Sequence, residues 1–186
     1  MNILKRVEKF ARENLDELNY EHSKRVRKFA LKLAKKENAN IEIVEIASWL
    51  HDIAKPKYSG LDHHIKGVEI AREFFQKLGA DQKLAEAVLH CIEAHMMKCD
   101  VPDAPQPNTI EAKVLLDADM INLISPFGIA KLIFVSTKNG KGFNECIAIT
   151  KKVTENGFKE LQTASGKALA EKYWKYNQKF FKLFGG

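Results

Sequence analysis

At 186 residues the chain is long enough to bury a core without disulfides, and 45% hydrophobic with 29% charged residues is the balance of an ordinary globular protein. A net charge of +6 favours anionic partners, but the excess is spread along the chain, so it is no nucleic-acid footprint. Cys91, Cys99 and Cys146 form no Cys-x-x-Cys pair, which suits free thiols in a reducing cytoplasm. The N-terminus alternates charges with no apolar leader, and no apolar run is long enough to span a bilayer, so no membrane partner is expected.

Helical spacing of apolar residues predicts a first helix over 2–17 (Ile3, Leu4, Val7, Phe10, Ala11 inward), broken by Asn19-Tyr20-Glu21. A second helix is expected over 22–36, with His22 in its first turn on the face of Val26, Phe29, Ala30 and Leu33. The third, over 41–55, ends before Pro56, because proline disfavours a helical residue ahead of it. A loop over 58–64 precedes helices over 64–78, with Ile65, Val68 and Ala71 inward, and 82–97, with His95 on the inner stripe. His63 and His90 read as surface residues. Residues 98–108 carry three prolines and read as a rigid loop over a site. Further helices are expected over 109–123, 129–136, 143–161 and 163–184, with a turn at Ser125-Pro126. The last is basic from Lys167 to Lys182, and its aromatic residues read as core. No segment alternates like a strand, so the fold class is all-α, a single-domain helical bundle over 1–186.

Two features resist a purely structural reading. His51 and Asp52 stand side by side on an apolar helix, and burying an imidazole with a carboxylate is costly unless something neutralises them. Asp117 and Asp119 are likewise embedded in an apolar run. Together with His22 these residues offer a mixed nitrogen and oxygen donor set. It suits one divalent transition ion per chain (Mn, Fe, Co or Ni), with positions left for water and a phosphate oxygen.

At this point the sequence resembles the HD superfamily of metal-dependent phosphohydrolases, whose pattern is a His, a His-Asp pair and a distant Asp on a helical bundle. Here it reads His22-x-x-Arg25-Val26, Leu50-His51-Asp52-Ile53-Ala54-Lys55 and Leu116-Asp117-Ala118-Asp119. A subgroup of stand-alone bacterial and archaeal HD proteins is closer still. It is matched by His64-Ile65-Lys66-Gly67, Ile92-Glu93-Ala94-His95, Glu111-Ala112-Lys113-Val114 and Gly128-Ile129-Ala130-Lys131. The ordered set covers about 20–135, with the helices of 143–184 packing on it.

The resemblance implies that His22, His51, Asp52 and Asp119 hold the metal, with Asp117 a partner that orients a ligand histidine. Asp52 or a neighbouring histidine would take a proton from water. Arg25, Lys55, His64 and His95 would bind the substrate, a nucleotide or other small phosphorylated metabolite, and His64 and His95 could also relay protons or hold a second ion. Some relatives carry a general-acid Glu just after His-Asp; Lys55 stands there instead. Where relatives have a basic residue, an apolar residue and a further Asp, this chain has Met120, Ile121 and Asn122. A non-catalytic, metal-containing module that binds a nucleotide or nucleic acid is the alternative.

Overall fold

The computed structural model describes residues 2–58 and 60–184, and the described residues form nine α-helices and no strand. They are α1 (Ile3–Asn14), α2 (Glu17–Glu37), α3 (Ile41–Leu50), α4 (His63–Leu78), α5 (Gln82–Glu93), α6 (Ile110–Ile124), α7 (Pro126–Lys138), α8 (Phe143–Lys159) and α9 (Ala164–Phe184). The all-α expectation holds. Ser59, in the loop expected over 58–64, lies outside the described residues.

Most helix boundaries follow capping chemistry. Asp16, Asn40, Asp81, Thr109 and Ser125 each accept a hydrogen bond from a first-turn amide, satisfying a donor that the helix leaves free. This corrects two expected breaks. Asn19-Tyr20-Glu21 lies inside α2, because Asp16 Oδ1 accepts the Asn19 amide at 2.8 Å and starts the helix earlier. Ser125-Pro126 opens α7 instead of ending a turn: Ser125 is the cap, and Pro126 occupies a first-turn position that needs no N–H.

Two expected helices end sooner. Helix α5 stops at Glu93, not at Met97. Helix α3 stops at Leu50, not Lys55, and the chain tightens into turns through Lys57, with Ile53 N to Leu50 O at 3.1 Å and Lys55 N to Asp52 O at 3.0 Å. Asp52 therefore leaves the regular α register directly after His51.

Helix α6 is the centre of the bundle, packed against α2, α3, α5, α7, α8 and α9. Val114, Leu115, Leu116, Ala118, Ile121 and Ile124 are all buried, meeting Val26, Ala30 and Leu33 of α2 and Val44, Ala47 and Leu50 of α3 in one core. Each large side chain so buried contributes roughly 1.5–3 kcal/mol. The aromatic residues of α9 pack only in part as expected: Phe181 is buried and Trp174 stacks on Phe158 with ring centroids 4.5 Å apart, whereas Tyr176 and Phe184, like Leu183, are exposed.

Asp117 has a structural job. Its carboxylate accepts hydrogen bonds from Gln162 N, Thr163 N (2.8 Å) and Thr163 Oγ1 (2.6 Å), tying the start of α9 to α6. It sits two residues, about 200° of helix, from Asp119. It orients no ligand histidine, which corrects the expected role.

No single helix among the described residues is long and apolar enough to cross a membrane.

Candidate metal centre

Three helices, the turn after α3 and the turn just beyond α5 bring the site together. Helix α2 supplies His22, the turn after α3 supplies His51, Asp52 and Lys55, and α6 supplies Asp119. His22 Nε2 lies 3.0 Å from His51 Nε2, 3.3 Å from Asp52 Oδ2 and 3.2 Å from Asp119 Oδ1. The four expected ligands therefore converge.

A second group meets the other oxygen of the same carboxylate. His63 of α4 and His95, just beyond α5, place their Nε2 atoms 3.6 and 3.5 Å from Asp52 Oδ1 and 3.2 Å from each other. His63 had read as a surface residue, yet it is 6% exposed. The signal for it lies in the small residues of α4. His63, Gly67, Ala71 and Phe75 form an i, i+4 stripe that is buried throughout, whereas Ile65 is 49% exposed. A Cβ at Gly67 would stand 3.2 Å from Ile92 and 3.6 Å from the His51 carbonyl, so close approach, not bulk, marks the inner face.

Two expected residues are not brought to the cavity. His64 turns its Nδ1 to the Leu61 carbonyl (2.9 Å) and is not part of the cavity wall. Arg25 is exposed, and its guanidinium lies over the Phe127 ring at 4.4 Å.

Proton accounting shows what this cluster can accept. The Nδ1 atoms of His51, His63 and His95 face the carbonyls of Ser48, Gly60 and Ile92, so Nδ1 carries the proton and Nε2 is left with a lone pair. Burial pushes His51 down to about 3 and His63 down to about 4, so both are neutral at pH 7. His63 and His95 thus face each other Nε2 to Nε2 beside Asp52 Oδ1. Burial alone would raise the pKa of Asp52, but Lys55 and the surrounding imidazoles hold it well below the usual carboxylate range. Asp119 is held low in the same way, against its own burial, by His22 and His51. Asp52 is fully buried, and neither oxygen has an aligned hydrogen-bond donor, although the Lys55 ammonium lies 2.9 Å from Oδ2. Convergent lone pairs on buried carboxylates fit a divalent cation. His22, His51 and Asp119 form one group of potential ligands, and Asp52, His63 and His95 a second.

The centre forms the floor of a cavity of about 680 Å³. One wall is α7, through Lys131, Leu132, Val135 and Lys138; the others include Leu18, Leu61, Met96 and Met120. Asp100 also lines it, so the proline-rich loop does reach the site. Lys131 was not singled out as a site residue from sequence. Burial and the nearby Lys55 pull its pKa down to about 8, while Asp52 and Asp119 pull the other way.

The HD-domain family model matches residues 19–122, a span that includes His22, His51, Asp52, His63, His95 and Asp119. The chain belongs to the HD-domain family. A tRNA (cytidine(56)-2'-O)-methyltransferase of Thermoplasma volcanium is 32% identical to this HD domain over 104 residues, 53% of this chain. The chain spans 30% of that curated relative's length. Bacillus subtilis YpgQ, in a structure solved in complex with ADP, superposes with a TM-score of 0.77 at 21% identity, covering 97% of this chain and 95% of that one. An HD-superfamily hydrolase of Bacillus thuringiensis gives a TM-score of 0.71 at 21% identity, with 97% and 92% covered. Both likenesses show the shared fold.

Proposed function

We propose that this HD domain is a metal-dependent phosphohydrolase acting on a nucleotide or other small phosphorylated metabolite. The observation that carries the reading is the meeting of the Nε2 atoms of His51, His63 and His95, each with its Nδ1 turned to a backbone carbonyl, on the two oxygens of buried Asp52. His22, His51 and Asp119 would hold one ion and His63 and His95 a second, with Asp52 shared between them. The expected stoichiometry thus rises from one ion per chain to two. A divalent ion at such a site supplies the charge that polarises a phosphoryl oxygen and lowers the pKa of water.

The chain's own groups divide the remaining work. Asp52 is a ligand and not the proton acceptor, because a carboxylate held far below its ordinary pKa is a poor base. Lys55 neutralises Asp52 and keeps a positive charge beside the reacting phosphate. His63 takes the place that the sequence had offered to His64. Asn122 fixes His22: its side-chain amide lies 2.8 Å from His22 Nδ1. As placed, Asn122 Nδ2 donates to His22 Nδ1; turning the amide over by 180° would set its oxygen against Nδ1, leave the proton there and free Nε2 for an ion.

The ADP held by YpgQ supports a nucleotide as the ligand. The test is a hydrolysis screen of nucleotides and simple phosphate esters with Mn, Co or Ni, on wild type beside Asp119→Ala. Turnover by wild type that the variant loses by at least about 100-fold is the expected result; no turnover of any compound by metal-loaded protein would overturn the reading.

The likeness to a tRNA methyltransferase favours a second reading, a metal-containing module that binds nucleotide or nucleic acid without turnover. Such a module would retain ligand in Asp119→Ala and show no hydrolysis in wild type.

A further inference from the structure

We propose that Lys131 is a substrate-binding residue that holds a second phosphate beside the one at the metal centre, while Leu132 and Val135 carry the apolar body of the substrate. This rests on the phosphohydrolase reading and adds to it a residue, a helix and a minimum charge for the substrate.

Three observations support the assignment. First, α7 is clamped in place. It follows α6 at a 74° bend, and its first turn sits so close that a Cβ at Gly128 would lie 2.0 Å from the Leu123 carbonyl oxygen and 2.4 Å from that of Asn122. The helix is thereby anchored within a few residues of Asp119, and its aim is not adjustable.

Second, Gly128, Lys131, Leu132 and Val135 all line the cavity. Their spacing of 0, 3, 4 and 7 puts them on one helical face. Along that face the chemistry changes from a cation to aliphatic carbon within about one turn, or roughly 5 Å. A ligand lying along it would meet charge at one end and hydrocarbon further out.

Third, the cations of this cavity differ in what already occupies them. Lys55 is paired with Asp52 at 2.9 Å, and the Lys138 ammonium lies over the Phe134 ring at 5.5 Å. Lys131 is half-buried and, among the described residues, has no ion-pair or hydrogen-bond partner. A partly desolvated ammonium without a counter-ion, aimed into a cavity floored by a metal site, is provided for an anion that arrives with the substrate. An ion held by the centre would supply the charge for the phosphate under attack, which leaves Lys131 for a neighbouring one. The substrate class is then a compound with at least two linked phosphates on an apolar or aromatic body.

The test is titration of the metal-loaded protein with α,β-methylene-ADP and with methylenediphosphonate, which lacks the nucleoside. Lys131→Met keeps the hydrocarbon stem and removes the charge. It is expected to weaken both probes by about 10- to 100-fold, with metal content and melting temperature unchanged, and Lys131→Arg should recover most of the loss. Val135→Ser, at a position 37% exposed, should weaken the nucleotide probe by about threefold to tenfold and leave methylenediphosphonate unaffected. Binding of both probes by Lys131→Met within twofold of wild type would overturn the assignment while leaving hydrolysis by wild type intact. A wild type that binds neither probe overturns it as well, and its turnover of phosphate esters then decides the hydrolase reading separately.

Discussion

His63 and His95 face each other Nε2 to Nε2 at 3.2 Å, and each has its Nδ1 turned to a backbone carbonyl three residues earlier in the chain. The two Nε2 atoms also meet Asp52 Oδ1, at 3.6 and 3.5 Å, so three potential ligand atoms converge on one point. A metal ion at that point would be held by all three. Replacing either histidine should therefore remove one ion and spare the other. Elemental analysis is expected to fall from about two transition ions per chain to about one in His63→Ala and His95→Ala. His64→Ala, whose imidazole lies off the cavity, should keep both.

Asn122 predicts a graded effect on the other group. Asn122 Nδ2 lies 2.8 Å from His22 Nδ1, and an ion on Nε2 requires the amide to turn its oxygen to that position; Asn122→Leu removes the partner in either orientation. Metal affinity, measured by competition with a chelating dye, should drop by about 10- to 100-fold. Asn122→Asp keeps an acceptor at that position and should bind metal at least as tightly as wild type. Equal affinity in wild type and Asn122→Leu would show that the contact does not orient His22.

Acid should destabilise the metal-free protein through its buried imidazoles. His51 and His63 titrate near 3 and 4 when folded, below the ordinary value of about 6.5 that they regain on unfolding. Between these values the unfolded chain binds more protons than the folded one, so stability rises with pH. Urea melts of chelator-treated protein should show full stability above about pH 6.5 and a progressive loss from there towards pH 4. His63→Ala should flatten that slope; a slope unchanged in the variant would place its origin elsewhere.

Asp117 and Asp119 should separate stability from metal binding. A Cβ at Gly166 would lie 2.1 Å from Asp117 Oδ2, inside the knot that holds α9 to α6. Gly166→Ala and Asp117→Ala are each expected to cost about 2–4 kcal/mol in denaturant melts. Both should retain metal per folded chain, whereas Asp119→Ala should lose metal at little cost in stability.

The bundle was legible because apolar spacing is a local signal, and the order of His22, His51-Asp52 and Asp119 pointed to residues that the fold brings within reach of one another. Of the second group the sequence marked His95 but offered His64 in the place that His63 occupies. Bulky Ile65 and Val68 were read as the inner face of α4, but the face that approaches the site is lined by small residues, and only close packing reveals that His63 lies on it. Asp117 and Asp119 could be told apart only by resemblance, since what distinguishes them is the loop at Gln162 and Thr163, some 45 residues away in the chain. Lys131 depends on the bend between α6 and α7, which the reading of Ser125-Pro126 as a turn concealed.

The most direct measurement is the metal content of wild type purified without chelator, beside His51→Ala. About two transition ions per chain, with the content sharply reduced in the variant, is the predicted result. Protein that contains no ion and takes up none when Mn, Co or Ni is supplied would contradict the account.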